Sequence, residues 1–459
     1  MVSERTDFLF IYDSKVVDNE RLVKIEKGSR TLRQAITEIV GIQDLELRVV
    51  GNHILINAPV KREHPMEQVV DTLANFVLEG TLLDKKNGVP IVYATVGVEG
   101  TSIGSITNQA GEFRLHLADS LRRKSLVFSH VGYMAQKIDI PLLTAGQHFT
   151  LTLEPRIFPL QEVVIRVVHP IRLMREMLEK RMINYSQKPV YFTTFYREGV
   201  QYKQKFRSLT EAVFKIYKSP VQSLYAREQV KLLKMSRITD GLEQDTLIAR
   251  MSGGIDACLQ LDIINHLPDF LLADAHKDVY AYTSADVTIV GDHLVNVISF
   301  EQKKEVKEPL YCGELYIDSD RIHPRYMKQA TDMVVQRQAR RMKIVLQELT
   351  YTISYKPWNG TYYINHVRGD LHFKVKQKRQ WLGSSSLHTW FEMVTCKIDT
   401  VGVTRFQRNE RIPTRTVFAD THFKYDSDFW ENFNVIPWEK QLVEVIEQLT
   451  SKIEKIEYE

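Results

Sequence analysis

Six short apolar runs between residues 76 and 155 constrain this chain more than any other feature. Each run has the length of a β-strand, and Phe113–Leu117 and Phe149–Leu153 alternate strictly between apolar and polar residues, as a strand with one buried face does. Asn87-Gly88 supplies turn chemistry, because both residues adopt a positive φ at low cost. The spacing predicts a small antiparallel β-sandwich of the seven-stranded type. Its predicted strands are Val77–Leu83, Ile91–Val98, Phe113–Leu117, Leu126–Val131, Gln136–Ile140 and Phe149–Leu153.

Several motifs in the same region, residues 76–155, resemble one family. Four segments occur in the order found in the carboxypeptidase regulatory-like domain: Glu79–Thr81, Asn87–Val96, Thr107–Phe113 and Ser129–Tyr133. The resemblance implies a transthyretin-like sandwich and a protein of the cell envelope of Bacteroidetes-type bacteria. It implies no reaction, because this module is an accessory to catalytic or transport domains.

Residues 1–58 are patterned as part of another small domain. A helix begins near Thr31, where Gln34 completes a capping box, and it ends at Gly41. The predicted strands around it give the order ββαββ; they are Phe8–Tyr12, Val23–Glu26, Leu45–Val49 and His53–Ile56. This order resembles the later part of the secretin and TonB short N-terminal domain. Because the first strand and helix of that domain would precede Phe8, the resemblance implies a true start upstream of Met1, with a signal peptide.

The C-terminal region, residues 191–459, is dominated by β signals. Its β-branched and aromatic runs follow one another through short turns without regular helical crossovers, which predicts one antiparallel, strongly curved sheet capped by helices. Met327–Ile344 is compatible with a strand pair or a helix, and Ile255–Leu272 has a more helical pattern. The strand order resembles the half-open barrel of lipoprotein-carrier proteins, a resemblance that implies no ligand residue. The predicted strands are Ala212–Tyr217, Val279–Tyr282, Asp286–Val290, Leu294–Phe300, Gly313–Ile317, Lys343–Tyr355, Thr361–Lys374 and His388–Asp399.

Two connecting regions and a terminal helix complete the predicted organisation. Residues 59–75 form a charged linker, and residues 156–190 hold a strand and a connecting helix that begins at Pro170. Core packing explains the methionine-rich face of that helix better than a binding groove does; the face consists of Ile171, Met174, Met177, Leu178 and Met182. The terminal helix carries an apolar stripe suited to cover the concave face of the sheet; it consists of Leu442, Ile446, Leu449, Ile453 and Ile456.

Composition restricts the classes of function. The chain has 459 residues, 44% hydrophobic and 26% charged, as folded multidomain proteins do. Its net charge of +4 is too small to indicate a nucleic acid partner. No apolar run reaches the roughly 18 residues that a membrane-spanning helix needs. The three cysteines, Cys258, Cys312 and Cys396, lack metal-ligand spacing, and we expect buried free thiols.

The sequence contains no recognisable catalytic, cofactor-binding or metal-binding motif. His64 and Glu67 have the spacing of a zinc carboxypeptidase site, but they lie in the linker and the chain has no room for the rest of such an enzyme. We therefore expect no metal-dependent peptidase activity. Arg197 and Glu198 are adjacent on a strand and point to opposite faces, which favours a structural role over a catalytic pair.

Two basic clusters are compatible with anionic lipid or nucleic acid, although solvated strand edges explain them better. They consist of Arg337, Arg340, Arg341 and Lys343, and of Lys374, Lys376, Lys378 and Arg379. No cofactor and no nucleic acid partner are therefore predicted.

These observations favour a non-catalytic cell-envelope protein, periplasmic or outer-membrane-associated. Its partners would be envelope proteins or an apolar or lipid ligand. Two alternatives stay open. One is a hydrolase whose unrecognised active site lies in the C-terminal β domain, and the other is a carrier-like binder of lipids or lipoproteins.

Overall fold

The computed structural model has a mainly β fold with several sheets, as the sequence predicts. It describes residues 9–12, 30–41, 46–50, 53–57, 75–143, 145–156, 169–203, 205–221, 228–239, 254–272, 279–290, 293–307, 310–318, 324–331, 336–338, 342–377, 384–416, 433–434, 436–438 and 457–458. Within these ranges, no helix is both long enough and apolar enough to cross a membrane.

The N-terminal strands form a three-stranded sheet, and a helix precedes its hairpin in the chain. The strands are β1 (Leu9–Tyr12), β3 (Glu46–Val50) and β4 (His53–Asn57), with β4 in the middle. The helix α1 (Leu32–Val40) matches the predicted one. A short strand before it, β2 (Arg30–Thr31), pairs with β23 (Glu457–Tyr458) and not with this sheet. The predicted strand Val23–Glu26 lies outside the described residues.

The sandwich has seven strands in two sheets, with the orders β10-β9-β6-β7 and β11-β5-β8. Six strands agree with the predicted runs. The seventh, β7, was not predicted, because three residues are too few to show alternation. The strands are β5 (Asn75–Asp84), β6 (Thr95–Val98), β7 (Gly104–Ile106), β8 (Glu112–Ala118), β9 (Ser125–Ser129), β10 (Gln136–Asp139) and β11 (His148–Leu153).

One pairing in the sandwich differs from the antiparallel prediction. β11 runs parallel to β5, with Phe149 opposite Gly80. A Cβ atom at Gly80 would lie 2.6 Å from the carbonyl oxygen of Phe149 and 3.0 Å from the ring of Phe113. Because real Cβ atoms do not approach a carbonyl oxygen so closely, glycine is needed where β11 joins the sheet.

The large C-terminal sheet has the strand order β14-β13-β12-β22-β21-β20-β18-β17-β16-β15, and a short strand β19 also pairs with β20. All the pairings are antiparallel, and strands β15 to β22 form the predicted meander. The strands are β12 (Val190–Tyr202), β13 (Lys205–Lys218), β14 (Gln229–Thr239), β15 (Tyr280–Val290), β16 (His293–Gln302), β17 (Cys312–Asp318), β18 (Pro324–Thr331), β19 (Gln336–Gln338), β20 (Met342–Trp358), β21 (Thr361–Gln377) and β22 (Ser385–Asp399). The described parts of 327–344 are therefore strands and not a helix. Two of the predicted strands, Val279–Tyr282 and Asp286–Val290, are one strand, and β12, β14 and β18 were not among the predicted strands.

One face of this sheet is apolar and is covered by helical elements. They are α2 (Pro170–Glu179), the short α3 (Arg181–Asn184), α4 (Gly254–Gln260) and a 3-10 turn at Asp269–Leu271. Met174 and Met177 are buried in this core, so the methionine-rich face is core packing, as predicted. Phe270 of the turn stacks on Phe300 of β16, with ring centroids 4.2 Å apart. The predicted terminal helix stripe, residues 442–456, lies outside the described residues.

A buried ion cluster fastens this helical cover to the sheet. The Lys218 ammonium group, at the end of β13, lies 2.7 Å from a carboxylate oxygen of Asp262 and 2.8 Å from one of Glu228. The Tyr355 hydroxyl donates to Asp262 at 3.0 Å. Burial alone would raise the pKa of Asp262, but the Lys218 charge and the hydrogen bonds hold it below its usual value. The cluster joins β13, β20 and the segment after α4.

Removing the cation of this cluster should cost more stability than removing a comparable exposed lysine. Lys218→Met leaves buried carboxylates without their partner, so we expect the free energy of unfolding to fall by about 3–5 kcal/mol. Lys231→Met on β14 removes a partly exposed pair with Glu410 and should cost less than about 1 kcal/mol. Urea unfolding followed by tryptophan fluorescence measures both losses. Equal losses in the two variants would contradict the assignment.

Candidate binding site

The second face of the large sheet carries charge, although it is buried. Antiparallel pairing places Glu211, Arg197, Glu392 and Arg368 opposite one another on the neighbouring strands β13, β12, β22 and β21. Directly paired residues point to the same face, so the four form a line of alternating sign, here called the charged row. Arg197 lies 2.7 Å from Glu211, and Arg368 lies 3.9 Å from Glu392. His366 Nε2 lies 3.0 Å from Glu392.

Opposite charges and hydrogen bonds offset the burial of this face. Burial alone would raise the pKa of Glu392, but the His366 hydrogen bond and the charges of Arg368 and Arg197 hold it below its usual value. Beside the row, Arg368 donates to Asp370 at 2.8 and 3.0 Å. Burial would also raise the pKa of Asp370, but His388 and Arg368 hold it at about 2. Both carboxyl groups are therefore ionised at neutral pH.

The sandwich lies against this charged face. The ring of Tyr93 packs on His366 with centroids 4.8 Å apart, and the Arg368 guanidinium lies 5.6 Å from the centre of the same ring. The Ser102 hydroxyl donates to the carbonyl oxygen of Ile398 at 2.9 Å and accepts from its N–H at 3.0 Å. One serine side chain thus provides β22 with the two bonds that a neighbouring strand would make.

The backbone of Tyr93 is in an unusual conformation. Its φ of +59° lies in the left-handed region, which aromatic residues rarely adopt. The N–H of Tyr93 donates to the carbonyl oxygen of Thr107 at 3.1 Å. Conformations of this kind occur where the surroundings impose them, often at binding sites. Here the residue with this conformation is the one whose ring contacts His366 of the large sheet.

A short segment near the C-terminus, residues 433–434 and 436–438, passes between the two domains and is here called the bridging segment. The Asn434 side chain accepts a hydrogen bond from the N–H of His116 in the sandwich at 2.5 Å. Arg197 of the charged row donates to the carbonyl oxygen of Ile436. An apolar seam lies alongside; its buried members are Ile106, Phe195, Val394, Cys396 and Ile436.

The sandwich and the sheet leave a cleft of about 680 Å³ between them. The sandwich side is lined by parts of residues 90–104 and 127–135, and the sheet side by residues 354–358 with His293 and His366. Apolar and aromatic residues alternate with a few polar groups on these walls. The partly exposed apolar ones include Val92, Tyr93, Ile103, Val127, Tyr133 and Trp358, and the polar ones include Thr95, Glu99, His130 and Lys356. Such a volume and lining at a domain interface are typical of small-molecule sites.

The structure separates the residue pair that the sequence singled out. Arg197 belongs to the charged row, whereas Glu198 accepts a hydrogen bond from Tyr196 at 2.7 Å on the helix-covered face. The two point to opposite faces, as predicted. His64 and Glu67 lie outside the described residues, and the part of the chain that the structure does describe contains no group of three metal-ligating side chains.

Two smaller expectations need correction. Cys258 and Cys396 are buried free thiols, as predicted, but Cys312 is exposed at the start of β17. Lys374 and Lys376 are solvated, yet they lie on β21, an interior strand with neighbours on both sides. They are exposed because the sandwich does not cover that end of the charged face. Side chains of the remaining basic-cluster residues lie outside the described set.

Sequence reasoning missed Tyr93, Ser102 and Lys356, which meet at the domain interface. The nearby glycines Gly97, Gly100 and Gly104 were no signal for this interface, because the close approach at Gly104 serves the pairing of β7 with β6 within the sandwich. Glycine in a strand marks close approach of another backbone. A Cβ atom at Gly104 would lie 2.7 Å from the carbonyl oxygen of Val96.

Comparison with known proteins identifies the sandwich. Residues 78–165 match the family model described as the CarboxypepD_reg-like domain. The chain therefore contains a CarboxypepD_reg-like domain, and the resemblance found in the sequence is confirmed for that domain. A comparison with curated proteins found no match for the chain.

Several solved structures are similar to the chain at 10% identity. One, described as an outer membrane lipoprotein-sorting protein domain from Vibrio parahaemolyticus, has a TM-score of 0.21, with 51% of this chain and 94% of that one covered. A DUF1329 family protein from Desulfovibrio piger also scores 0.21, with 52% and 96% covered. MucB in complex with MucA scores 0.18, with 51% and 100% covered. TM-scores this low establish no shared fold.

The ion pairs of the charged face predict a specific loss of stability in acid. A carboxyl whose pKa is lower in the folded chain stabilises the fold above its ordinary pKa, 3.8 for Asp370, and loses that contribution as the pH falls towards 2. The stability difference between wild type and Asp370→Asn should therefore be about 2 kcal/mol larger at pH 5 than at pH 2. Urea unfolding at a series of pH values measures it.

The matched control is Asp399→Asn, which removes the partner of the exposed Lys397 on the adjacent strand. Its stability difference from wild type should change little over the same pH range, because exposed pairs contribute little. The same pH dependence in both variants would show that Asp370 has no special role.

Proposed function

We propose that this protein is a non-catalytic binding protein of the cell envelope and that the cleft between sandwich and sheet holds its ligand. The observation that carries the proposal is the cleft itself, about 680 Å³ at a domain interface with a largely apolar lining and a few polar groups. Envelope proteins and apolar or lipid molecules are the partners that the sequence favours. An apolar ligand is the class that this lining fits best.

The two carboxylates beside the cleft, Glu392 and Asp370, are placed for a structural role and not for acid–base catalysis. A general acid or base needs a proton that it can exchange near neutral pH and a side chain free to reach the substrate. Glu392 is held by His366 and Arg368, and Asp370 by Arg368 and His388. Their lowered pKa values keep both carboxylates ionised. These groups support the docked sandwich and offer no exchangeable proton.

The proposed location rests on the sandwich. The CarboxypepD_reg-like match supports an accessory module, and the family resemblance associates such modules with envelope proteins of Bacteroidetes-type bacteria. In this proposal the sandwich forms one wall of the binding site. Fractionation of the source cells tests the location, and recovery of the full-length protein in the cytoplasm alone would contradict it.

Filling the cleft tests the binding proposal. Gly97 lines the cleft, and a Cβ atom there would meet only the carbonyl oxygen of Ile103, at 3.8 Å. Gly97→Trp should therefore fold normally and place an indole in the cleft. We expect the neutral dye Nile red to bind the wild type saturably, with its fluorescence increased, and to bind Gly97→Trp at least about ten-fold more weakly, since occupied volume excludes the ligand.

The matched control is Thr150→Trp, at an exposed position on β11 outside the cleft lining. It adds the same side chain to the sandwich and should leave dye binding unchanged. Equal binding by the wild type and both variants would place the dye elsewhere and overturn the cleft as the site. No saturable binding by the wild type would overturn the proposal for apolar ligands.

A further inference from the structure

Among the residues that the structure describes, one cation in the cleft has no counter-charge. Lys356, near the end of β20, lines the cleft, and its ammonium group donates to the carbonyl oxygens of Thr395 at 2.6 Å and Ser102 at 3.4 Å. Both acceptors are neutral, and none of the described residues pairs a carboxylate with it. Glu99, which also lines the cleft, is paired with Lys137 at 2.7 Å.

Lys356 is partly buried, and its surroundings differ from those of the fully buried basic groups. Lys218 has two carboxylates, and Arg368 has Asp370 and Glu392. An ammonium group that has lost water without gaining an anion is destabilised. Burial accordingly lowers the pKa of Lys356 to about 8, only weakly opposed by the Cys396 thiol. An anion in the cleft would remove the cost.

We propose that the cleft takes an amphiphile with a single carboxylate, of the long-chain fatty acid class, whose acid group pairs with the Lys356 ammonium. The inference rests on the proposed function, because it names the ligand class of the same cleft. A lone ammonium group suits a monoanion, whereas phosphate groups are usually met by several donors or by arginine. The apolar part of the ligand then lies against the apolar walls.

The carbonyl contacts of Lys356 position its ammonium group for this role. Thr395 belongs to β22 and Ser102 to the sandwich, so the ammonium group is held from both domains where they meet. An ammonium group has three donors, and these two bonds leave one for a ligand oxygen. A charge-assisted hydrogen bond from that donor is stronger than one between neutral groups.

A matched pair of fluorescent probes tests the inference. They are 11-(dansylamino)undecanoic acid and its methyl ester, which have the same chain and dye and differ only in the head group, an ionised carboxylate or a neutral ester. We expect the wild type to bind the acid at least about ten-fold more tightly than the ester at pH 7, as the loss of one charge-assisted bond would give. Lys356→Met should weaken binding of the acid to the level of the ester and leave the ester unchanged.

Two control variants separate charge from general effects. Lys356→Arg keeps the cation and should retain most of the preference for the acid. Lys397→Met removes an exposed lysine of β22 that does not line the cleft, and it should bind both probes as the wild type does.

The outcomes distinguish this inference from the proposed function. If the wild type binds Nile red but binds acid and ester equally, or binds neither, the cleft stands as a binding site and the role of Lys356 is overturned. If Lys356→Met keeps the ten-fold preference, another group recognises the acid and the inference also fails. If neither Nile red nor the probes bind the wild type, the proposed function is overturned, and the inference that rests on it is overturned with it. The wild-type comparison needs no variant, so misfolding of Lys356→Met cannot hide the answer.

Discussion

The central strands of the large sheet are buried on both faces, and the rest of the architecture depends on how they bury the charged one. Taking an ion out of water costs several kcal/mol unless an opposite charge lies within hydrogen-bonding distance. Here the strand register supplies those partners, because it sets Glu211, Arg197, Glu392 and Arg368 opposite one another. A slip by one residue would move these groups among the aromatic side chains of the other face. The ends of the row are also covered, since the Trp438 indole donates to Glu211 at 2.7 Å and the Tyr93 ring lies over Arg368.

The two faces require different covers, and the difference explains the cleft. The hydrophobic effect has no preferred direction, so the helix that carries Met174 and Met177 packs closely on the apolar face of the sheet. The charged face instead meets the sandwich through directional contacts at a few points, among them the two hydrogen bonds between Ser102 and Ile398. Contacts of that kind set a distance and an angle but do not fill volume. The sandwich packs on the sheet at such points, so a cavity remains beside the contacts.

Much of the fold can be predicted from the sequence, because strands with one buried face alternate in polarity and strands joined by short turns pair in order. The six predicted sandwich strands and, apart from β18, the meander from β15 to β22 follow from these rules. The site could not be found in this way. β7 is too short to alternate, the φ of Tyr93 depends on its tertiary setting, and nothing in the sequence distinguishes Lys356 from the solvated lysines. Whether a charge is paired depends on strands that are distant in sequence. A local sequence pattern contains no information about such strands.

The place of β22 in the sheet also affects how the chain can fold. β12 pairs with β13, which follows it directly, but its other neighbour is β22, with Tyr191 opposite Asp399. At ordinary rates of synthesis, the ribosome needs roughly ten to forty seconds to add the intervening residues. During that time one side of β12 lacks its neighbour, and unpaired strand edges are the usual starting point of aggregation. The order of strands along the chain therefore imposes a waiting time before any native contact across β12 and β22 can form.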